Sequence, residues 1–113
     1  MKKESEAILL RIFVSESDEY KGEQLYKHII DMLRKERIAG ATVLRGIAGF
    51  GKTSHFHMTS ILRLSTDLPI VIEVTDKKEN IERIKPKLDA VIKEGLITEE
   101  KVRIILYEGH QEK

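Results

Sequence analysis

The segment 46–53 carries the residue types best suited to chemistry in this sequence of 113 residues. It reads Gly-Ile-Ala-Gly-Phe-Gly-Lys-Thr, which matches the phosphate-loop pattern of nucleoside triphosphatases at every specified position. In such a loop the glycines let backbone N–H groups converge on phosphate oxygens, the lysine adds a positive charge, and the hydroxyl can hold Mg²⁺. The segment therefore predicts a phosphate-ligand site, and the surrounding elements decide between binding and hydrolysis.

Three features argue against a hydrolase. The chain is short for the parallel five-stranded core of that class. Residues 54–60 (Ser-His-Phe-His-Met-Thr-Ser) lack the apolar period of a helix that would cap the phosphates. Asp67-Leu68-Pro69 is typical of a turn into a strand. We therefore favour binding without turnover, and keep a small hydrolase or phosphotransferase that uses Gly46 to Thr53 as the alternative.

A plain glycine turn between two strands is a further alternative. It accounts for Gly46, Gly49 and Gly51. It accounts poorly for Phe50 between two glycines and for the basic residues around them, which are Arg45, Lys52, His55 and His57. His55 and His57, two residues apart, could face one metal ion, but two ligands are too few for a site. We predict neither a metal site nor a catalytic residue, because nucleophile-elbow and paired-carboxylate spacings are missing.

The charges nearly cancel, since 20 Lys and Arg stand against 19 Asp and Glu. The net charge of +1 provides no general field for nucleic acid or an anionic membrane. The absence of cysteine excludes disulfides, thiolate metal sites and a cysteine nucleophile. Because apolar runs are too short for a signal or membrane segment, we expect a cytoplasmic protein without membrane insertion. The length predicts one domain, 1–113, with an ordered core of about 7–108.

The elements that must position the glycine segment follow from hydrophobic periodicity. Four apolar stretches predict strands, at Ala7 to Ser15, Ala41 to Arg45, Leu68 to Thr75 and Lys101 to Tyr107. Two stripes of helical period predict helices, one from Glu23 to Ile38 and one through Ile81, Ile84, Leu88, Val91 and Ile92.

The helix ends are predicted from local signals. Asp76 and Glu79 have the spacing of a capping box at the start of the second helix. Pro86 predicts either a later start, near Arg83, or a kink. Gly40 and Gly95 predict the two C-terminal ends.

The order β-α-β-β-α-β predicts an α+β, ferredoxin-like fold: a four-stranded antiparallel sheet with two helices on one face. The alternative is a small three-layer parallel sheet, which needs a helix between the second and third strands. A strand alternates its side chains between faces, so the sheet's other face is predicted to be apolar, with Leu9, Phe13, Val71, Ile105 and Tyr107. Arg11 and Glu73 are predicted to pair among them. Such a patch is too large to leave in water, and predicts a closed homo-oligomer.

The residues around the glycine segment also resemble a family. The run Arg45 to Gly51 is preceded by Gly40-Ala41-Thr42-Val43 and followed by His57 and by Leu64-Ser65-Thr66-Asp67-Leu68-Pro69. Together with Gly22 and Leu25-Tyr26, this pattern resembles a family of uncharacterised small PII-like proteins of archaea and bacteria. The similarity covers nearly the whole chain.

The resemblance implies a non-catalytic regulatory protein, a homotrimer with an adenine nucleotide (ATP, ADP or AMP) in clefts between subunits. No cofactor is required. A loop, here 46–64, would carry the signal to a regulated protein partner. The implied ligand neighbours are Arg45, Gly46, Gly49, Phe50, Gly51, Lys52 and His57. A metal-binding trimer of the same shape, using His55 and His57, is a further alternative.

Two departures limit what the resemblance implies. The loop contains no tyrosine for signal modification, and the second phosphate loop of the nitrogen-regulating PII proteins has no counterpart beyond Gly95. Nitrogen regulation and 2-oxoglutarate sensing are therefore not expected.

Overall fold

The protein is a four-stranded sheet covered on one face by two helices, as seen in a computed structural model that describes residues 1–50 and 67–109. A short hairpin follows the first strand. The elements in chain order are β1 (Lys2–Ser15), β2 (Glu19–Tyr20), β3 (Glu23–Gln24), α1 (Leu25–Lys35), β4 (Gly40–Arg45), β5 (Pro69–Asp76), α2 (Lys78–Val91) and β6 (Leu96–Tyr107).

The large sheet has the order β4-β5-β1-β6, and each neighbouring pair is antiparallel. This arrangement confirms the ferredoxin-like prediction. The parallel three-layer alternative is wrong, because β4 and β5 are antiparallel neighbours. The ends of β1 and β4 and the start of β5 consequently meet at one end of the sheet, where the glycine segment begins.

The core lies between the sheet and the helices, as the alternation in the strands predicted. Leu10 and Ile12 of β1 and Ile72 of β5 are fully buried toward the helices. Leu25, Ile29 and Leu33 repeat every four residues, which places them on one face of α1. The remaining buried residues of this core are Ile8, Val14, Ile70, Val74, Ile81, Ile84, Leu88 and Val91.

The first and last strands of the large sheet, β1 and β6, are longer than predicted. β1 begins at Lys2 rather than Ala7, and β6 begins at Leu96 rather than Lys101. The extra residues are mostly polar, but they pair with each other's strand: Lys2 lies opposite Tyr107 and Phe13 opposite Leu96. Backbone pairing, rather than side-chain burial, extends these strands, so the hydrophobic pattern could not predict the extra residues.

A small hairpin, β2 and β3, lies between β1 and α1. Lys21 (φ 50°) and Gly22 (φ 84°) occupy its two-residue loop between β2 and β3. Positive φ at both central residues is the geometry of a type I′ turn, which suits glycine and matches the twist of the strands. The hairpin leads directly into α1.

The first helix ends earlier than predicted, and not at a glycine. Arg37 adopts a left-handed conformation (φ 60°), and its N–H donates to the carbonyl of Arg34 at 3.0 Å. The N–H of Ile38 donates to the carbonyl of Leu33 at 3.1 Å, which completes a Schellman motif. Gly40 was predicted to stop this helix and is instead the first residue of β4.

The capping box predicted for the second helix is also wrong. The N-cap residue is Lys77, which makes no side-chain capping bond. Asp76 acts one residue earlier: its carboxylate accepts the N–H of Lys77 at 2.7 Å, the side chain of Asn80 at 3.0 Å and the N–H of Ala39 at 2.9 Å. Asp76 therefore joins the start of α2 to the segment before β4.

The second helix runs through Pro86, so the predicted later start near Arg83 is wrong. It ends at Val91, before Gly95. The glycine at 95 meets a different need, because its φ is 153° and a Cβ there would lie 2.7 Å from the carbonyl oxygen of Phe13. Gly95 thus allows the chain to pass closely over β1 before β6 begins.

The sheet face away from the helices, here called the helix-free face, carries an apolar row across all four strands. Leu44, Val71, Phe13 and Leu96 lie opposite one another in register. Leu44 and Leu96 are 47% and 60% exposed in the single chain. The row confirms part of the predicted patch. The assignment of Ile105 and Tyr107 to this patch was wrong. They lie opposite Glu4 and Lys2, and these even-numbered positions of β1 share the sheet face of Leu10 and Ile12, which is the face toward the helices.

Beside this row lies an ion-pair network. Arg11 donates from Nε to Glu73 Oε2 at 3.0 Å, which confirms the predicted pair, and from Nη1 to Glu100 Oε1 at 2.8 Å. The helix-free face is therefore an apolar row flanked by a charged one.

Candidate ligand site at the end of the edge strand β4

The glycine segment begins where β4 ends, at one edge of the sheet. Arg45 is the last residue of β4 and lies opposite Ile70 of β5. The N–H of Gly46 then donates to the carbonyl of Pro69 at 2.7 Å. This bond continues the pairing with β5 by one residue, so the point of departure of the segment is held by backbone geometry.

Gly46 packs too closely against Pro69 for any larger residue. A Cβ at position 46 would lie 2.7 Å from Pro69 Cγ, and one at position 49 would lie 3.3 Å from the same atom. Contacts under 3.0 Å require something to shift, and the proline ring has little freedom to do so. The glycine at 46 is thus needed for packing. Its N–H already has an acceptor, so the amide is engaged by the fold.

Arg45 is held by Glu16, the residue that directly follows β1. Its Nε donates to Glu16 Oε1 at 3.1 Å, and its Nη2 lies 3.0 Å from the same oxygen. The Arg45 side chain is 50% exposed, whereas that of Glu16 is 13% exposed. The arrangement places a cation at the surface, at the entrance of the glycine segment, with its counter-ion beneath it.

The end of β1 also binds the residues that lead into β5. Asp67 Oδ1 accepts the hydroxyl of Ser15 at 2.6 Å and that of Ser17 at 2.9 Å. The N–H of Glu16 donates to the carbonyl of Leu68 at 2.8 Å. Arg45 and Asp67, on either side of the glycine segment, are therefore both tied to residues 15–17, at and just after the end of β1.

The first part of the glycine segment presents apolar side chains to solvent. Ile47 is 74% exposed and Phe50 is 83% exposed in the single chain. An aromatic ring this exposed gains nothing from the subunit's own core. The resemblance implies that Phe50 lies beside a ligand, and that role stays a prediction.

The structure brings together only part of the predicted site. Arg45, Gly46, Gly49 and Phe50 lie within one short stretch at the end of β4. Gly51, Lys52 and His57, together with His55 and most of the predicted loop 46–64, lie outside the described residues. Their part in the site stays a prediction.

The hydrophobic pattern and the motifs did not predict the side chains that hold Arg45 and the entry to β5. Asp67 contacts Ser15 and Ser17 across 52 and 50 residues, and Glu16 contacts Arg45 across 29. The one local signal was a polar cluster directly after a strand, which is also what any surface turn shows.

Other chemistry finds little support in the described residues. Within 1–50 and 67–109, no three His, Asp or Glu side chains come together in a way that could hold a metal ion. The helices seen in that part of the chain are all too short or too polar to cross a membrane. The phosphate-loop match begins after an edge strand of an antiparallel sheet, whereas the hydrolase class requires a parallel one.

Similar sequences come from archaea and bacteria. The UPF0166 protein of Methanocaldococcus jannaschii is 48% identical over 92 residues, which cover 80% of this chain and 84% of that protein. A UPF0166 protein of Aquifex aeolicus is 38% identical over 97 residues, which cover 86% and 91% of the two chains. In both cases the similarity extends over most of the length of each protein.

Several similar solved structures are of PII-like proteins. CPII, a nitrogen regulatory PII-like protein from Thiomonas intermedia K12 solved with ADP, AMP and bicarbonate, has a TM-score of 0.62 at 16% identity, over 90% of this chain and 91% of that one. A proposed PII-like signaling protein from Thermus thermophilus has a TM-score of 0.61 at 14% identity, over 91% of each chain. At such identities the likeness concerns the fold.

A family model agrees with both comparisons. The model named DUF190 and described as Uncharacterized ACR matches residues 7–104, which is nearly the whole of the described fold. The resemblance stated from the glycine segment is thereby confirmed. The chain belongs to the DUF190 family and has the ferredoxin-type fold of PII-like proteins.

Proposed function

We propose that this protein is a non-catalytic regulatory protein of the PII-like type. It binds an adenine nucleotide, ATP, ADP or AMP, in clefts between the subunits of a homotrimer, and it works in the cytoplasm. The observation that carries the proposal is the position of Arg45 and Gly46: in a PII-like fold, they stand where the chain leaves β4 for the glycine segment. CPII, which shares that fold, was solved with ADP and AMP.

The charge and shape of this edge suit a phosphate-bearing ligand. Arg45 offers a half-exposed guanidinium, a group that pairs well with phosphate oxygens. The Gly46 amide is engaged with Pro69, so the amides that serve a ligand are those further along the segment, including Gly49 and Gly51. The exposed ring of Phe50 offers a face for the base. Lys52 and His57 would complete the set.

The trimer is supported by the helix-free face. Its apolar row ends in Leu44 and Leu96, which are largely exposed on a single chain. A continuous apolar surface of this kind is normally covered, and identical subunits cover it with closed symmetry. The trimer would bring an edge of each sheet next to its neighbour and create the cleft beside β4.

The signal would pass through the loop. A ligand that contacts residues of the segment 46–64 in only one of its arrangements would shift the population toward that arrangement. The loop would then engage or release a protein partner. A ligand without such differential contacts would bind and change nothing.

The test is a calorimetric titration of the purified protein with ATP, ADP and AMP, with the mass measured by light scattering. We expect saturable binding to a trimer, and roughly tenfold weaker binding in Arg45→Ala, which removes one charge-assisted contact. Lys27→Ala, an exposed lysine on α1, is the matched control and should bind like the wild type. A monomer that ignores all three nucleotides would overturn the proposal.

The same samples decide the enzymatic alternative. Phosphate release from ATP with Mg²⁺ is measured in parallel, in the wild type and in Lys52→Ala. Binding without release supports a sensor. Metal-dependent release that is lost in Lys52→Ala would replace the proposal with a phosphate-loop hydrolase.

A further inference from the structure

Glu16 contacts three parts of the molecule that border the candidate site. Its Oε1 is bound by Arg45, its N–H donates to the carbonyl of Leu68 at 2.8 Å, and its carbonyl accepts the Gln24 side chain at 3.2 Å. We propose that Glu16 is a positioning residue that orients the Arg45 guanidinium toward the phosphates of the ligand. The inference rests on the proposed function and names a residue that acts through Arg45 rather than on the ligand.

The geometry of the pair fixes the direction of the guanidinium. Nε and Nη2 lie on one edge of that planar group, and both reach the same oxygen, at 3.1 Å and 3.0 Å. An arginine held along one edge keeps its plane and its remaining donors in one orientation. A free arginine side chain would lose rotamer freedom when it bound a ligand, which weakens binding. The pairing with Glu16 removes part of that loss in advance.

Glu16 is itself held, as a positioning residue must be. Its side chain is only 13% exposed, and both of its backbone polar groups are hydrogen bonded to fixed neighbours. Leu68 immediately precedes β5, and Gln24 immediately precedes α1. A carboxylate this buried keeps its cation, because an unpaired buried charge is costly. Arg45 is therefore oriented from the interior outward.

An opposite effect competes with positioning. The negative charge of Glu16 lies near the place where phosphates would bind, and simple repulsion would weaken binding. The two effects differ in sign: loss of the carboxylate raises affinity if repulsion dominates and lowers it if positioning dominates. We expect positioning to dominate, since Glu16 Oε1 is already paired with a full positive charge and the pair is neutral at a distance.

The experiment measures the affinities of ADP and adenosine by calorimetry in wild type, Glu16→Ala, Glu16→Gln, Arg45→Ala and the double variant Glu16→Ala/Arg45→Ala. Glu16→Ala should bind ADP roughly tenfold more weakly, the loss expected when one charge-assisted contact is misplaced. Glu16→Gln keeps an acceptor oxygen and should lose less. Adenosine, which has no phosphate, should bind all variants alike. Glu19→Ala, which removes an exposed carboxylate in the hairpin that follows Glu16, is the control.

The double variant separates positioning from a general structural role. If Glu16 acts through Arg45, the double variant binds ADP no more weakly than Arg45→Ala alone. Effects that multiply, or Glu16→Ala binding ADP as tightly as wild type or more tightly, would overturn the inference. If Glu16→Ala fails to fold by circular dichroism, Glu16→Gln alone and combined with Arg45→Ala supplies the same comparison. Wild-type protein that binds no nucleotide overturns the proposed function and this inference together; the other outcomes overturn the inference alone.

Discussion

The N–H of Gly46 donates to the carbonyl of Pro69 at 2.7 Å, and a Cβ on Gly46 would lie 2.7 Å from the Cγ of the same proline. The first glycine of the phosphate-loop pattern is therefore used for packing the segment against β5. The phosphate-loop pattern had assigned all its glycines to ligand binding, whereas Gly46 has a packing role. The glycine at 46 sets where the segment leaves the sheet, and the proposed ligand contacts are left to the residues around it.

We predict that Gly46→Ala destabilises the protein by about 1–3 kcal/mol, the usual result of overpacking, because the proline ring cannot give way. Denaturant unfolding measures the change. Gly40→Ala, at the start of β4, is the control: a Cβ there would meet nothing within 4 Å, so stability should change by less than about 0.5 kcal/mol. Pro69→Ala should relieve the clash, so that Gly46→Ala costs less in that background. Equal losses in both backgrounds would contradict the packing explanation.

We predict that Asp76 stabilises the fold above pH 4 and loses its effect in acid. Burial acts to raise the pKa of this carboxyl, but hydrogen bonds from the Ala39 N–H, the Asn80 side chain and the Lys77 N–H outweigh it and hold the pKa below the ordinary 3.8. Because the pKa is lowered by folding, Asp76 binds a proton at a higher pH in the unfolded chain than in the folded protein. The stabilisation is therefore complete above 3.8 and disappears as pH falls through the folded pKa.

Asp76→Asn should accordingly lower the free energy of unfolding by about 1–3 kcal/mol near neutral pH, and by progressively less below pH 4. Unfolding curves between pH 2 and 8 measure the difference. Asp89→Asn, an exposed position on α2, is the control and should be within about 0.5 kcal/mol of wild type. A difference that stays constant across the acid range would contradict the role of ionised Asp76.

We predict that Arg37→Gly stabilises the protein by about 0.5–1 kcal/mol. Arg37 holds a left-handed conformation at the end of α1, which costs an ordinary residue about 1–2 kcal/mol and costs glycine nothing. Glycine also raises the entropy of the unfolded chain, and this reduces the gain in stability. Thermal and denaturant unfolding measure it. Arg34→Gly, inside the last turn of the same helix, should instead destabilise by about 1 kcal/mol. Destabilisation by Arg37→Gly would show that its side chain matters more than its backbone.

We predict that Leu96→Glu reduces the mass of the assembly without unfolding the subunit. Leu96 is 60% exposed on the single chain and closes the apolar row of the helix-free face, so a buried charge there opposes association. Light scattering and circular dichroism follow the two properties. Ala90→Glu, exposed on α2 away from that face, should leave the mass unchanged. A folded Leu96→Glu variant with the wild-type mass would exclude this face as the interface.

The periodic features of this protein were determined by its sequence. The alternation Ile8, Leu10, Ile12 in β1 and the four-residue repeat Leu25, Ile29, Leu33 in α1 predicted the elements, the buried faces and hence the fold. Whether a side chain is buried depends largely on its own polarity, so the spacing of apolar residues along the chain indicates which positions face the core. The glycine segment and the family resemblance followed from local residues in the same way.

Other features were decided only by the tertiary structure. Glu16 binds Arg45 across 29 residues, and Ser15 binds Asp67 across 52. The pairing of Glu4 with Ile105 places the Ile105 side chain on the sheet face opposite to the one predicted. Such contacts depend on which strand ends meet and in which register, and a shift of one residue exchanges the faces. Local polarity carries no information about that meeting. The sequence thus determined where the glycine segment begins, and the folded sheet decided that Ser15 and Glu16, at and just after the end of β1, contact Asp67 and Arg45 on either side of it.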